Sequence, residues 1–232
     1  PQPPQREAAL QAGEKSSVWQ DFQLGLRYVL SWPGLVIIGL MATLINFLLN
    51  PAFALTPILV IEHFNGGAMQ LAGLESILGI GIVAGGITLG VWGGFRRRIL
   101  TSLVGLLGIG LGSVLLGVAP AAAYPLALVA CFILGFSLPI TNGPLFAAIQ
   151  AVVAPEMQGR VFTLIGSASA AMSPVGLIIA GPVADTFGVQ TWYIVGGIVS
   201  IAMSVVAYFI PAVMRLEEGR GSPAEITNET PL

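Results

Sequence analysis

Residues 35–61 read LVIIGLMATLINFLLNPAFALTPILVI, an apolar run that contains no charged residue. The run is longer than the ~20 residues that an α-helix needs to cross the hydrocarbon of a bilayer. Pro51 and Pro57 interrupt it, and each proline removes a backbone hydrogen bond that lipid cannot replace. The sequence therefore predicts a broken transmembrane helix that faces protein or water rather than lipid.

Five further apolar runs of membrane-spanning length follow, at about 71–94, 99–119, 125–153, 161–184 and 191–213. The composition agrees, because 55% of the residues are hydrophobic and only 9% are charged, whereas a soluble domain carries roughly 25% charged residues. We therefore predict an all-α protein with six transmembrane helices in a lipid bilayer. The net charge of −2 and the scattered basic residues argue against a nucleic-acid partner.

The basic residues fall in alternate connections between these runs. They precede the first run, separate the second from the third and the fourth from the fifth, and follow the sixth: Arg6, Lys15, Arg27, Arg96, Arg97, Arg98, Arg160, Arg215 and Arg220. Lys and Arg are retained on the cytoplasmic side during insertion. We therefore expect a multi-pass protein of the cell membrane with both termini in the cytoplasm. Arg96, Arg97, Arg98 and Arg160 are predicted to act as topology anchors or gate contacts.

Composition divides the chain into four segments. We predict a disordered lead or linker, an amphipathic cytoplasmic helix, a six-span bundle and a cytoplasmic tail, at 1–16, 17–32, 33–213 and 214–232. Because the chain begins at Pro1 without an initiator Met, we expect it to be a fragment.

The fourth run is also interrupted by prolines, Pro139 and Pro144. The first and fourth runs lie three spans apart, which makes them the corresponding positions of two three-helix units. Two inverted three-helix repeats are the plan of secondary transporters, whose substrate site lies near the midplane where broken helices meet. The pattern therefore favours transport.

Polar and aromatic side chains form a stripe along each of these two broken helices. The predicted substrate-binding residues are Thr43, Asn46, Asn50, Phe53, Thr141 and Asn142. A wall of amides, hydroxyls and an aromatic ring suits a small amphipathic organic molecule better than a bare ion. The alternative is that these side chains only form hydrogen bonds between helices.

Glu75 lies within the second run and is the candidate for coupling transport to protons. The alternative is that it reaches headgroup water, because it lies near the predicted outer end of that span. The chain has one histidine, His63, and one cysteine, so no catalytic residue, metal site or cofactor is predicted. It also lacks a Gly-rich nucleotide loop that ends in Lys-Ser/Thr.

Three short strings carry a resemblance to a known family: DFQLGLRY at 21–28, PEMQGRVF at 155–162 and GPVAD at 181–185. The chain resembles the C-terminal six-helix half of a major facilitator superfamily transporter, in the drug-exporter branch that includes macrolide-efflux-type proteins. The resemblance implies a missing N-terminal six-helix half, a cavity lined by the first and fourth spans, and drug export coupled to inward proton movement. The loop at 93–98 lacks the acidic residue that this loop often has in the family.

Two other interpretations stay open from the sequence. One is a self-sufficient six-helix transporter that pairs as a homodimer, and the other is a six-helix membrane scaffold or assembly subunit. A scaffold has no need of two proline-broken polar helices in matching positions.

Overall fold

A computed structural model describes residues 18–218 of the chain. The predictions for 1–16 and for the tail beyond Glu218 lie outside the described residues. Within them, one amphipathic helix precedes six long helices: α1 Val18–Leu30, α2 Pro33–Ala54, α3 Ala68–Trp92, α4 Arg98–Val118, α5 Tyr124–Val152, α6 Pro155–Phe187 and α7 Val189–Phe209. By length and composition, α2 to α7 are able to cross a membrane, which confirms the predicted six-span fold class.

The first predicted span is interrupted, as its prolines indicate. Helix α2 ends at Ala54, and after a turn at Leu55 the chain continues as a short helix, Thr56–Ile58, and a π-helical turn, Leu59–His63. A proline cannot donate to the carbonyl one turn before it, and the break falls between Pro51 and Pro57.

The fourth span differs from the prediction, because α5 is continuous through Pro139 and Pro144. Donors beside the prolines bond to carbonyls of the same turns. The Thr141 hydroxyl donates to the Ser137 carbonyl at 2.9 Å, and the Asn142 amide donates to the Leu138 carbonyl at 3.1 Å. These donors reinforce the turns beside the prolines, whereas the carbonyls that Pro139 and Pro144 leave without a helical donor are those of Gly135 and Ile140.

Helix α6 begins at Pro155, earlier than the predicted start at 161. Pro155 occupies one of the first helical positions and Glu156 lies in the first turn, both of which favour a helix N-terminus. The polar residues that follow Pro155 interrupt the apolar pattern, which is why the span was predicted to begin only at 161. Arg160, which was predicted to lie in the connection before this span, therefore lies inside the helix.

The packing of the six spans has the symmetry of an inverted repeat. Helix α2 packs on α6 and α7, while α5 packs on α3 and α4, and α4 packs on α7. Exchanging α2 with α5, α3 with α6 and α4 with α7 converts these contacts into one another, and the one departure is that α6 packs on α7 without a comparable contact between α3 and α4. The bundle therefore has the arrangement of two three-helix units that is expected of one half of a major facilitator fold.

Two hydrophobic clusters fill the bundle. One lies at the end that carries α1 and includes Leu35, Ile99 and Val161. The other lies toward the opposite end and includes Leu59, Leu116 and Trp192. Residues of both clusters line the cavity described below, so the cavity lies between the two clusters.

Hydrogen bonds from α7 hold the proline-containing end of α2. The Trp192 indole N–H donates to the Leu48 carbonyl at 2.7 Å, and the Tyr193 hydroxyl donates to the Ala52 carbonyl at 2.6 Å. Thr56 also bonds to the Tyr193 hydroxyl at 2.9 Å. These donors supply polar partners in the turns around Pro51, where lipid supplies none.

The packed chain extends beyond the predicted bundle end at 213. A short helix, Pro211–Met214, and a 3-10 turn, Leu216–Glu218, follow α7, and Leu216 is buried. The Glu217 carboxylate accepts hydrogen bonds from the backbone N–H of Arg98 at 3.0 and 3.2 Å. The start of the predicted tail is therefore part of the fold, because an apolar side chain and a helix-capping acid anchor it.

Candidate functional site

A cavity of about 200 Å³ lies between α2, α4 and α5. Five of the six predicted substrate-binding residues line it: Asn46, Asn50, Phe53, Thr141 and Asn142. Helical spacing places the first three on one face of α2, and the packing of α5 brings the other two opposite them. We call this space the central cavity.

Thr43 is the exception among the predicted residues. It does not line the central cavity, and its hydroxyl donates to the Gly39 carbonyl of its own helix at 2.8 Å. Thr43 lies three residues before Asn46, close enough on a helical wheel to suggest one stripe. On this part of α2, the residues that line the cavity are instead Ala42, Ile45 and Asn46.

The amides of the cavity are oriented by the protein. Asn50 donates from its Nδ2 to the Asn46 Oδ1 at 3.0 Å, and Asn46 donates to the Ala42 carbonyl at 2.8 Å. The Asn142 Nδ2 likewise donates a hydrogen bond to the Leu138 carbonyl. The side-chain oxygens of Asn50 and Asn142 are therefore the amide groups best placed to accept hydrogen bonds from a ligand.

The remaining wall is largely apolar, and one side of it was missed by the sequence analysis. Helix α4 contributes residues at helical spacing: Ile99, Ser102, Leu103, Leu106 and Ile109. The spacing was visible in the sequence, but apolar stripes are present on every span, so it carried no sign of a cavity. Few polar groups within an apolar wall are typical of sites for small organic molecules.

Glu75 lies outside the central cavity. Helix α3 begins at Ala68, and at 1.5 Å per residue Glu75 is about 10 Å along the helix. This is deeper than the sequence analysis placed it, because the predicted start at 71 shortened the span. Glu75 lines a second cavity, together with Phe53 and Tyr193.

The four arginines that were predicted as topology anchors or gate contacts lie at the end of the bundle that carries α1. Arg96, Arg97 and Arg98 are exposed in and beside the α3–α4 connection. The Arg98 guanidinium donates to the Ala147 carbonyl of α5 at 2.9 Å, so this arginine joins two helices.

Arg160 lies against α1. A Cβ atom built on Gly25 would come within 3.3 Å of the Arg160 Cβ, so a glycine at this position favours the close approach of the two helices. The Arg160 guanidinium also lies 3.6 Å from the Met157 sulfur. Arg160 is therefore placed to couple α1 to the start of α6.

Across the described residues 18–218, no group of three His, Cys, Asp or Glu side chains is arranged to hold a metal ion. The His63 Nε2 lies 2.7 Å from the Ala119 carbonyl, and its Nδ1 bonds to the Gln190 amide. His63 therefore joins the ends of three spans at the end of the bundle opposite α1.

Comparison with known proteins identifies the family. The family profile described as Major Facilitator Superfamily matches residues 1–177. Macrolide efflux protein A of Streptococcus pyogenes is 30% identical over 198 residues, which cover 85% of this chain and 49% of that protein. Multidrug efflux pump Tap of Mycolicibacterium fortuitum is 31% identical over 150 residues, or 64% of this chain and 36% of that protein.

The chain spans about half the length of its relatives named macrolide efflux protein A, including the one from Enterococcus faecalis, of which it covers 49%. No solved structure matches the chain. The profile match covers most of the bundle, and the six-helix architecture agrees with it. The family that the sequence predicted is thus confirmed: this chain belongs to the major facilitator superfamily.

Proposed function

We propose that the chain forms one six-helix half of a twelve-helix secondary transporter that exports a small amphipathic organic molecule or drug in exchange for protons. The central cavity is the observation that carries this proposal. It combines two oriented amide oxygens and an aromatic ring with a mainly apolar wall. A molecule with an apolar body and a few polar groups fits such a wall. The names of the relatives, a macrolide efflux protein and a multidrug efflux pump, point to the same class of substrate.

The exposed faces of α3 and α6 support a second half as the partner. Gly86 and Gly90 of α3 and Gly166 of α6 are exposed, and open space surrounds the position of an added Cβ at each. Ser167 and Ala170 lie on the exposed side of α6 as well. Small residues let membrane helices approach closely, so these faces suit another helical bundle better than lipid tails. A homodimer would cover the same faces, and sedimentation of the full-length protein tests that alternative.

We also propose that the end carrying α1 faces the cytoplasm. Arg27, Arg98, Arg160 and Arg215 belong to this end, as the positive-inside rule requires of a cytoplasmic face. Exposed leucines of α1, Leu24, Leu26 and Leu30, give it the surface of a helix that lies on a membrane.

Single-cysteine labelling tests this orientation in a Cys131→Ser background. A cysteine at Ala122 or Thr186 is expected to react with an impermeant thiol reagent applied to intact cells. A cysteine at Phe95 or Gln150 is expected to react only after permeabilisation. The opposite pattern would reverse the topology.

Substitution of the cavity amides tests the transport proposal in the full-length protein. Asn50→Leu and Asn142→Leu each remove one hydrogen-bonding group from the cavity wall, worth about 1 kcal/mol, or roughly a fivefold loss of substrate affinity. Export of a fluorescent drug from energised cells is expected to fall with surface expression unchanged. Thr43→Val is the matched control, because Thr43 is on the same helix as Asn50 but outside the cavity. Equal export by all three variants would mean that the amides serve only packing.

Proton coupling is tested separately from the cavity. A protonophore should abolish export while a sodium ionophore should not. Glu75→Gln is expected to lower export, since among the described residues Glu75 is the one acid that lines either of the two cavities described above. Export that depends on the sodium gradient would contradict proton coupling, whereas the proposal that substrate binds in the central cavity would still stand.

A further inference from the structure

The segment that follows the last span reaches one end of the central cavity. It comprises the short helix Pro211–Met214 and the 3-10 turn Leu216–Glu218, and we call residues 211–218 the strap. Val213 of the strap lines the central cavity, although it lies beyond the end of α7. The wall of the cavity is therefore not made by the spans alone.

Val213 lies at the end of the cavity that is nearest to α1. Helices α2 and α4 both begin at that end of the bundle, and the first residues with which they line the cavity are Ile38 and Ile99. Val213 belongs to the same hydrophobic cluster as these two residues. The exposed fraction is 4% for Ile38, 2% for Ile99 and 1% for Val213. Buried apolar side chains therefore seal this end, and the strap supplies one of them.

Contacts with the first turns of α2 and α4 hold the strap in place. Gly34 of α2 packs so closely that an added Cβ would lie 2.5 Å from the Ala212 carbonyl oxygen and 2.8 Å from the Leu216 Cδ1. The Leu216 side chain is buried. The Glu217 carboxylate accepts a hydrogen bond from the Arg98 backbone N–H at 3.0 Å. The strap thus joins the starts of two helices that line the cavity.

The strap is a separate element from α7. Helix α7 ends at Phe209, and Ile210 has an extended backbone with φ −90° and ψ 109°. Pro211 then begins the strap, and its ring nitrogen has no hydrogen to donate to α7. A helix of four residues has little stability of its own, so the position of the strap depends on its contacts with α2 and α4. Displacement of the strap requires no movement of a span.

We propose that the strap is a plug that closes the α1 end of the central cavity against molecules on that side of the membrane. With the proposed orientation this side is the cytoplasm, from which an exporter takes its substrate. The inference therefore rests on the proposed function, and it makes the strap the element that controls entry from the cytoplasm.

Reaction of a cysteine inside the cavity tests the plug in the full-length protein. Ser102 is the position for it, because it lines the cavity about one turn beyond Ile99 on α4. The protein carries Ser102→Cys and has every other cysteine, including Cys131, replaced by serine. The probe is sulfonatoethyl methanethiosulfonate, which does not cross membranes, added to inside-out vesicles. Because the probe reaches a buried thiol only when the structure opens locally, the labelling rate reports opening of the strap.

Gly34→Ala is the first test variant. Its added methyl group meets the backbone oxygen of Ala212, so the strap has to move away by about 0.8 Å to restore an ordinary carbon–oxygen contact. Labelling at Ser102→Cys is expected to become roughly tenfold faster, because local opening costs less. Gly39→Ala is the matched control on the same helix, since the nearest atom to its added Cβ is the Ile165 Cγ1 at 3.7 Å.

Val213→Ala keeps the inference falsifiable if Gly34→Ala does not fold. It removes two methyl groups from the seal and is expected to speed labelling as well. Val161→Ala is its control, because Val161 is fully buried in the same hydrophobic cluster but does not line the cavity. This control removes the same atoms from the core without opening the cavity.

A labelling rate that rises in either strap variant and not in its control supports the plug. Equal rates within both pairs would overturn it, because a general loosening of the bundle would then explain any change. Labelling of intact cells separates the plug from the proposed orientation, since an acceleration seen only from outside would keep the plug and reverse the topology. None of these results depends on export by the cavity-amide variants, so failure of the plug and failure of the transport proposal are distinguishable.

Discussion

Gly81 of α3 packs against the backbone of α5, and replacing it with alanine is expected to destabilise the bundle. A Cβ atom at this position would lie 2.5 Å from the Phe132 carbonyl oxygen and 2.9 Å from the Phe136 nitrogen. Carbon–oxygen contacts between helices are about 3.3 Å or longer, so the two backbones would have to separate by about 0.8 Å. Both obstructing atoms belong to a helix backbone, which cannot rotate away as a side chain can.

The expected cost follows from the packing of the interface. Forcing an extra methyl group into a tight contact costs about 1–3 kcal/mol. Against this, alanine favours the helix over glycine by about 1 kcal/mol in water. Gly79→Ala separates the two effects, because it lies on the same helix with no atom within 4 Å of its added Cβ. The difference between the two variants therefore reports the interhelical contact.

Thermal unfolding of the purified protein measures this difference. A thiol-reactive dye that fluoresces on reaching the buried Cys131 reports the melting temperature in detergent. With about 2–4 °C per kcal/mol for a chain of this size, Gly81→Ala is expected to melt about 2–12 °C below Gly79→Ala. A Gly81→Ala variant that melts at or above the control would refute the close approach of α3 and α5.

Two further predictions concern hydrogen bonds at opposite ends of the bundle. Glu217→Gln removes the negative charge of the side chain that accepts a hydrogen bond from the Arg98 backbone N–H at the start of α4. The free energy of unfolding, measured by calorimetry, should fall by about 0.3–1 kcal/mol, and the fall should be smaller at high salt. A loss of stability that does not depend on the salt concentration would contradict a charge effect. Trp192→Phe keeps a ring and removes one of the donors to the Leu48 carbonyl, and it should cost about 0.5–1.5 kcal/mol by the same melt. Unchanged stability would mean that this interhelical bond adds nothing to the bond that the Leu48 carbonyl makes within α2.

The candidate site was predictable where its residues share one helix. Asn46, Asn50 and Phe53 recur at helical spacing, and spacing alone places them on one side of α2. Thr43 was grouped with them although it does not line the central cavity, because a helix face has no sharp edge and only the neighbouring helices decide where a cavity wall ends. The wall from α4 was missed because its residues are mostly apolar, like those of any buried membrane helix.

The prolines had different consequences that the sequence did not distinguish. Both interrupted runs contain two prolines, yet the chain breaks at Leu55 and passes through Pro139 and Pro144 without a break. A proline removes one donor wherever it lies. Local side-chain donors do not separate the two cases, because Thr56 donates to a carbonyl of the preceding turn beside the break just as Thr141 does within the continuous helix. The difference therefore lies in the tertiary packing around each helix.

By itself, the sequence determined the six spans, the family and the segregation of basic residues to alternate connections. Those features follow from hydropathy and covalent order, because every backbone polar group in lipid has to be satisfied within a helix. Only the tertiary structure decided which helices meet, and so it alone revealed the two cavities that Phe53 lines and the use of Glu217 to cap α4. The physical reason is that side-chain spacing defines the face of one helix, whereas a cavity requires the faces of several helices that lie far apart in the chain.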